Sequence, residues 1–166
     1  INYILENHER VLYVHKSVIE NSGHVFTYSG PNAGVDYYIE KIEEFKKLEE
    51  ENSCQYSSTA IYTHLEKLVE LLMDEKKYFE AIKKVNLYQP YLKTEREKYQ
   101  IDNLKMQASY FDDNIKGALD LGLKLIEAYK KKKIMNTKNN YYGDVDMSMV
   151  YGMTISSLLK LERYQE

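Results

Sequence analysis

The sequence predicts an all-α fold of stacked antiparallel helical hairpins, about seven helices in one domain. Three observations predict it. Apolar residues recur every three or four positions through most of the chain, which is the spacing of one helical face. No stretch alternates apolar and polar residues as a half-buried strand would. Short polar turns separate segments of similar length, and several of these turns resemble one another, a pattern typical of helical repeats.

The first predicted helix runs from Leu5 to about Ser22, with Val11, Val14 and Val18 on one face beside Leu12 and Ile19. The stretch "GHVFTYSGPNAG" then breaks it with three glycines and a proline. A second helix follows on Val35, Tyr38, Ile42, Phe45 and Leu48, its other face being glutamate and lysine. Ser57 or Ser58 is placed to cap a third, whose stripe Ile61, Leu65, Leu68, Leu72 is the cleanest in the chain.

"DEKK" ends that stripe, and a fourth helix carries Tyr78, Ala81, Ile82, Val85 and Tyr88, closing before Pro90. "TERE" has the form of a capping box, in which Thr94 and Glu97 each satisfy the other's backbone amide, and it opens a fifth helix on Ile101, Leu104, Ala108 and Phe111. Asp112 or Asp113 is placed to cap a sixth, with Ile115, Ala118, Gly122, Leu125, Ile126 and Tyr129, ending in lysines that suit the negative end of the helix dipole. After "NTKNNYYGD", a seventh reads Val145, Met149, Gly152, Ile155 or Ser156, and Leu159.

Three turns can be overlaid: "DEKKYFEA", "DDNIKGA" and "KLERYQE". Each holds a large residue, Tyr78, Ile115 or Tyr164, three places before a small one; the first two small residues are Ala81 and Ala118, and the third would fall just past Glu166. Tyr78 and Ile115 are 37 residues apart and Tyr78 and Tyr164 are 86, the excess lying in the lysine- and asparagine-rich linker. Such spacing suits a helix-turn-helix repeat with loop insertions. The chain opens on Ile1 and stops within the pattern, so it reads as a piece of something longer, whose final helix would leave an apolar face uncovered.

"SLLKLERYQE" and "LLMDEKKYFEA" resemble the turn of a tetratricopeptide repeat, in which a large residue ends the first helix and a tyrosine opens the second. Leu72, Tyr78 and Ala81 stand at the matching places. The sequence departs from the family at Leu65 and Tyr151, where it often has Trp, and at Val69 and Ile155, where it has Gly; the middle copy aligns with a one-residue slip of its turn. The resemblance covers about residues 57–166 and implies a right-handed α-solenoid. It divides the chain into a looser helical pair over 1–56, repeats over 57–93 and 94–133, and the start of another over 143–166.

In that family the first helix of each hairpin lines a concave groove. The resemblance therefore implies groove positions at Thr63, Glu66 and Glu70, at Tyr99, Asn103 and Gln107, and at Met149, Gly152 and Ser156. The Lys and Asn that some members use to clamp a peptide's terminal carboxylate are missing, and Glu66 and Glu70 would repel such a group.

Bulk properties narrow the class. A chain of 166 residues with a net charge of −3 and pI near 5.9 has no global basic field to draw nucleic acid or anionic membrane. Cys54, the single cysteine, supports neither an internal disulfide nor a thiolate metal site. No run approaches the roughly 20 apolar residues of a membrane span, which suits a soluble domain, either cytoplasmic or the extracytoplasmic part of an anchored protein. The Lys, Asn, Ile and Tyr bias suits an AT-rich bacterial genome.

Candidate chemistries fail on spacing. His8 and His15 lie seven apart on one helix without a third ligand, and His24 and His64 are isolated. "GDVDMS" offers Asp144, Asp146 and Ser148 like the start of a calcium loop, but Met149 and Ile155 occupy the places that need Gly and Glu, so helix capping explains the acids. "GPNAG" lacks the Lys-Ser/Thr pair of a phosphate loop, and the lysine run 130–133 reads as a solvated helix end. No Ser-His-acid, Cys-His or paired-carboxylate set stands out. The expectation is a non-catalytic protein- or peptide-binding scaffold without cofactor or metal, part of a bacterial regulatory or sensory protein, with self-association through the C-terminal helix face as a further contact. A small-molecule-sensing domain and a structural oligomerisation module are the alternatives. The 17 tyrosines, against 4 phenylalanines and no tryptophan, serve mainly between helices in this reading, the remainder suiting a recognition surface.

Overall fold

A computed structural model describes residues 34–51, 57–131, 133 and 145–162. Six α-helices lie among them: α1 Val35–Glu50, α2 Ser57–Asp74, α3 Tyr78–Tyr88, α4 Glu95–Phe111, α5 Ile115–Lys130 and α6 Met147–Lys160. A 3-10 turn, Gln89–Tyr91, carries Pro90 between α3 and α4. These are the second to seventh predicted helices, and no β-strand occurs among the described residues. The first predicted helix, residues 5–22, lies outside them, together with His8, His15, His24, Cys54, Asp144 and Tyr164.

Each helix packs on the next in sequence, and in addition α2 touches α4 and α4 touches α6. Two apolar clusters fill the spaces. The first joins Tyr38 and Ile42 of α1, Ile61, Leu65, Leu68, Val69 and Leu72 of α2, Ala81, Val85 and Tyr88 of α3, and Ile101 and Ala108 of α4. The second joins Tyr99 and Met106 of α4, Ala118, Leu125 and Ala128 of α5, and Val145, Met147 and Val150 at α6. Helix α4 supplies both clusters from opposite faces, so it is the seam of the molecule.

The three turns after α2, α4 and α6 share one backbone device. Lys76, Asp113 and Glu162 are the described non-glycine residues with positive φ, at 60°, 59° and 56°. Around them the helix ends close alike: Glu75 N–H donates to Leu71 O (3.0 Å), Asp112 N–H to Ala108 O (2.9 Å) and Leu161 N–H to Ser157 O (3.0 Å). Lys77 N–H reaches back to Leu72 O (2.7 Å) and Asn114 N–H to Ser109 O (2.9 Å), the long bond of a left-handed helix C-cap. The spacing Lys76 to Asp113 is 37 residues, equal to Tyr78 to Ile115, so the middle turn aligns without the one-residue slip expected from sequence.

Capping is partly as expected. The Thr94–Glu97 box forms, with Glu97 N–H on Thr94 Oγ1 (3.2 Å) and Thr94 N–H on Glu97 Oε2 (3.2 Å). Asp146 caps α6 through Ser148 and Met149 amides. The cap of α5 is Asn114, not Asp112 or Asp113, because Asp112 ends α4 and Asp113 holds the left-handed turn. Ser57 and Ser58 lie inside α2 and bind across it: Ser57 Oγ donates to Glu49 of α1, while Ser58 Oγ accepts from Lys93 N–H (2.9 Å).

Two apolar assignments change. Phe111, expected on the buried stripe of α4, is exposed at its last turn and stacks on Tyr78 at 5.5 Å between centroids. On α6 the buried row is Met147, Val150, Thr154 and Ser157, whereas Met149, Gly152, Ile155 and Leu159 face outward. This helix is apolar on most sides, so its sequence alone does not fix which side α5 covers.

Candidate functional site

Distance from the left-handed turn residue gives α2, α4 and α6 a common register. Thirteen places before it stand Thr63, Gln100 and Met149; ten before, Glu66, Asn103 and Gly152; six before, Glu70, Gln107 and Ser156. Helix α2 touches α4 and α4 touches α6, so these residues stand at matching register positions on helices that are neighbours in turn. Eight of the nine are positions that the resemblance assigns to a groove. The ninth, Gln100, takes the place expected for Tyr99.

Tyr99 lies elsewhere. It is buried against α5, with Lys124 Nζ 5.9 Å from its ring centroid. There it borders a shallow, open hollow of about 130 Å³ with Lys124, Glu127, Ala128, Lys131 and Lys133. Two of these lysines are paired, Lys124 with Asp102 (2.6 Å) and Lys131 with Glu127 (2.5 Å).

Along the α2 face, Thr63 Oγ1 donates to Thr59 O (3.0 Å), Tyr62 O–H donates to Glu66 Oε1 (2.7 Å) and Lys67 pairs with Glu70 (2.6 Å). Burial raises the Glu66 carboxyl pKa, against the Tyr62 hydrogen bond that lowers it, with the Glu70 charge adding to the rise. Burial likewise raises the Tyr62 hydroxyl, with Glu66 acting in the same direction. On α4 the side-chain oxygen of Asn103 is buried and accepts no hydrogen bond among the described residues. Asn103 and Gln107 are half-buried.

The α4–α6 junction is polar. Tyr110 O–H and Ser156 Oγ are 2.6 Å apart, and Lys160 Nζ stands 4.3 Å over the Tyr110 ring. The bond to Ser156, followed by Lys160, holds the Tyr110 hydroxyl pKa below its ordinary value. Met149 is exposed, and a β-carbon on Gly152 would meet nothing within 4 Å. Tyr62, Tyr110 and Lys160 were not expected here. Tyr62 was legible as the i−4 neighbour of Glu66, whereas Tyr110 and Lys160 depend on how α4 meets α6.

Other polar clusters tie helices together. Glu97 is buried and accepts from Thr59 Oγ1 (3.0 Å) and Ser58 Oγ (3.4 Å), joining the starts of α2 and α4. Asp102 is buried and accepts from Gln89 Nε2 (2.7 Å) and Lys124 Nζ (2.6 Å), joining α4 to α5 and to the 3-10 turn. Two tyrosines reach from the α3 end to α1, Tyr88 to Glu43 (2.8 Å) and Tyr91 to Glu50 (3.0 Å). His64 donates from Nδ1 to Ala60 O (2.7 Å) within α2. Among the described residues no three His, Cys, Asp or Glu side chains are placed to share a metal ion, and no helix is long and apolar enough to cross a membrane.

Comparison of the chain with protein-family models, with curated proteins and with solved structures finds no match.

Proposed function

We propose that this chain is a non-catalytic scaffold of stacked helical hairpins, of tetratricopeptide type, and that the shared face of α2, α4 and α6 binds a protein or peptide segment. One observation carries the reading: the left-handed residues Lys76, Asp113 and Glu162 stand at matching places in three turns with corresponding hydrogen bonds. Contacts of α2 with α4 and of α4 with α6 accord with an array in which each hairpin stacks on its neighbours.

The chemistry of the face favours a donor-rich partner. Glu66 and Glu70 present carboxylates with acceptor capacity beyond their bonds to Tyr62 and Lys67, and Asn103 offers an acceptor without a donor among the described residues. A lysine or arginine side chain, or a run of backbone amides, would satisfy these groups; a terminal carboxylate would not. The Lys, Asn, Ile and Tyr bias suits a bacterial genome, and in such a cell a binding scaffold of this kind would serve as a module of a regulatory or sensory protein. The hollow beside Tyr99, at about 130 Å³, is smaller than the roughly 300–1,000 Å³ of pockets that enclose drug-sized ligands, so that hollow does not itself favour the small-molecule alternative.

A displayed library of short peptides, panned against the wild-type protein and a Glu66→Lys/Glu70→Lys variant, tests the reading. The wild type should enrich basic sequences that the variant loses, and Asn103→Ala should weaken the best binder by roughly tenfold, the worth of about one hydrogen bond. Equal enrichment by wild type and variant would remove the α2 face as the binding surface.

A further inference from the structure

The polar rows of α2, α4 and α6 differ in charge. On α4, Asn103, Gln107 and Tyr110 follow one another at helical spacing, and on α6 Gly152, Ser156 and Lys160 do the same. Direct bonds join these rows to their neighbours. Thr59, four places before Thr63, donates to Glu97 at the start of α4 (3.0 Å), and Tyr110 near the end of α4 meets Ser156 of α6 (2.6 Å). At the α2 end, Glu66 and Glu70 outnumber Lys67, which pairs with Glu70, so the charge there is negative. At the α6 end stands Lys160, exposed and paired with no carboxylate among the described residues. The Tyr110 and Ser156 hydroxyls have no other hydrogen-bond partner among those residues. Their mutual bond uses one of their two protons, and the second is free to be donated outward. With the Lys160 ammonium 4.3 Å from the centre of the Tyr110 ring, this corner offers a hydroxyl donor beside a positive charge, a match for the two oxygens of a carboxylate.

We propose that the bound segment carries two opposite charges, a Lys or Arg held by Glu66 and Glu70 and a side-chain carboxylate of Asp or Glu held by Tyr110, Ser156 and Lys160. The inference rests on the peptide-binding reading above and adds to it a second contact of opposite sign. Packed neighbouring helices lie about 8–10 Å apart, so two such steps and a small offset along the axes separate the two ends by roughly 20 Å, which an extended segment covers in about six residues. Asn103 and Gln107 stand on the helix between, where side-chain amides can both donate to and accept from the main chain that joins the two charges.

Sequencing the displayed peptide library after panning tests this. Peptides enriched by the wild type should hold an Asp or Glu about six residues from their basic residue. Lys160→Glu, an exposed change whose fold is checked by circular dichroism, should lose the acidic preference and keep the basic one, whereas Glu66→Lys/Glu70→Lys should lose the basic one. The best binder is then synthesised with both ends capped, so that no terminal carboxylate competes. Replacing its acidic residue by Gln should raise Kd about tenfold on the wild type at low salt, and hardly at all on Lys160→Gln or Tyr110→Phe. A basic preference without an acidic one, or an acidic one that Lys160→Glu leaves intact, would overturn this inference and leave the peptide reading standing. A library that enriches nothing would overturn both.

Discussion

Gly122 of α5 lies so close to Thr154 of α6 that a β-carbon built on it would come within 2.2 Å of Thr154 Oγ1 and 3.3 Å of Thr154 Cβ. Thr154 has little room to yield, since it is buried and its hydroxyl donates to Val150 O at 2.7 Å. Gly122→Ala gains about 1 kcal/mol of helix propensity but forces a methyl into this contact, at a cost of about 1–3 kcal/mol. The net expectation is a loss of roughly 1 kcal/mol in chemical denaturation. Adding Thr154→Ala should restore stability, and a double variant no better than Gly122→Ala would place the close approach elsewhere.

Lys76 holds φ of 60°, where a side chain costs about 1–2 kcal/mol. Glycine relieves that cost and loses about 0.5–1 kcal/mol in unfolded-chain entropy. Lys76→Gly should therefore raise stability by about 0.5–1 kcal/mol in thermal or urea melts, and Asp113→Gly by a similar amount. Lys76→Ala should bring no such gain, because it leaves the backbone in the same strained region.

Asp102 is buried between Gln89 and Lys124. Lys124→Met would leave a carboxylate with one neutral donor. The exposed end of Lys124 lets water moderate the loss, which should be about 1–3 kcal/mol, with the Asp102→Leu/Lys124→Met double variant less affected than the lysine change alone. A double-mutant cycle with no coupling would exclude Lys124 as the support of Asp102.

Thr94→Ala removes the α4 cap and should cost about 1 kcal/mol. Glu97→Ala should cost more, about 1–3 kcal/mol, because Thr59 and Ser58 lose their acceptor as well. Equal losses would confine Glu97 to capping.

Glu66 has a folded-state pKa raised above the ordinary 4.5, chiefly by burial. The folded state thus holds the proton more tightly than the unfolded one, and the stability so gained is present below pH 4.5 and lost as pH rises through the raised pKa. Glu66→Gln should match the wild type under acid conditions and exceed it at neutral pH. Parallel stability curves from pH 4 to 8 would contradict the burial of this carboxyl.

Helices α1, α2, α3 and α5 were legible because each has one apolar face, so period and phase can be read together, as along Ile61, Leu65, Leu68 and Leu72; α4, which feeds both clusters from opposite sides, gave its period while Tyr99 and Phe111 fell on other faces than expected. The Thr94–Glu97 box was legible because it is complete within four residues. Helix α6 gave its period but not its phase, since Met147, Val150 and Met153 compete with Met149, Ile155 and Leu159 around the same cylinder. Packing on α5, with Gly122 against Thr154, decides between them.

Local pattern thus determined which segments are helices, where most of them start and stop, and which residues recur at the turns. The left-handed conformation of Lys76, Asp113 and Glu162, the burial of Tyr99 against α5, and the joining of Tyr88 to Glu43 across 45 residues were decided only in the tertiary structure. Periodicity and capping act within a few residues and are written in order along the chain. The rotation of a helix against its neighbours, and the choice of which distant carboxylate meets a tyrosine hydroxyl, follow from close packing between elements, which sequence order does not encode.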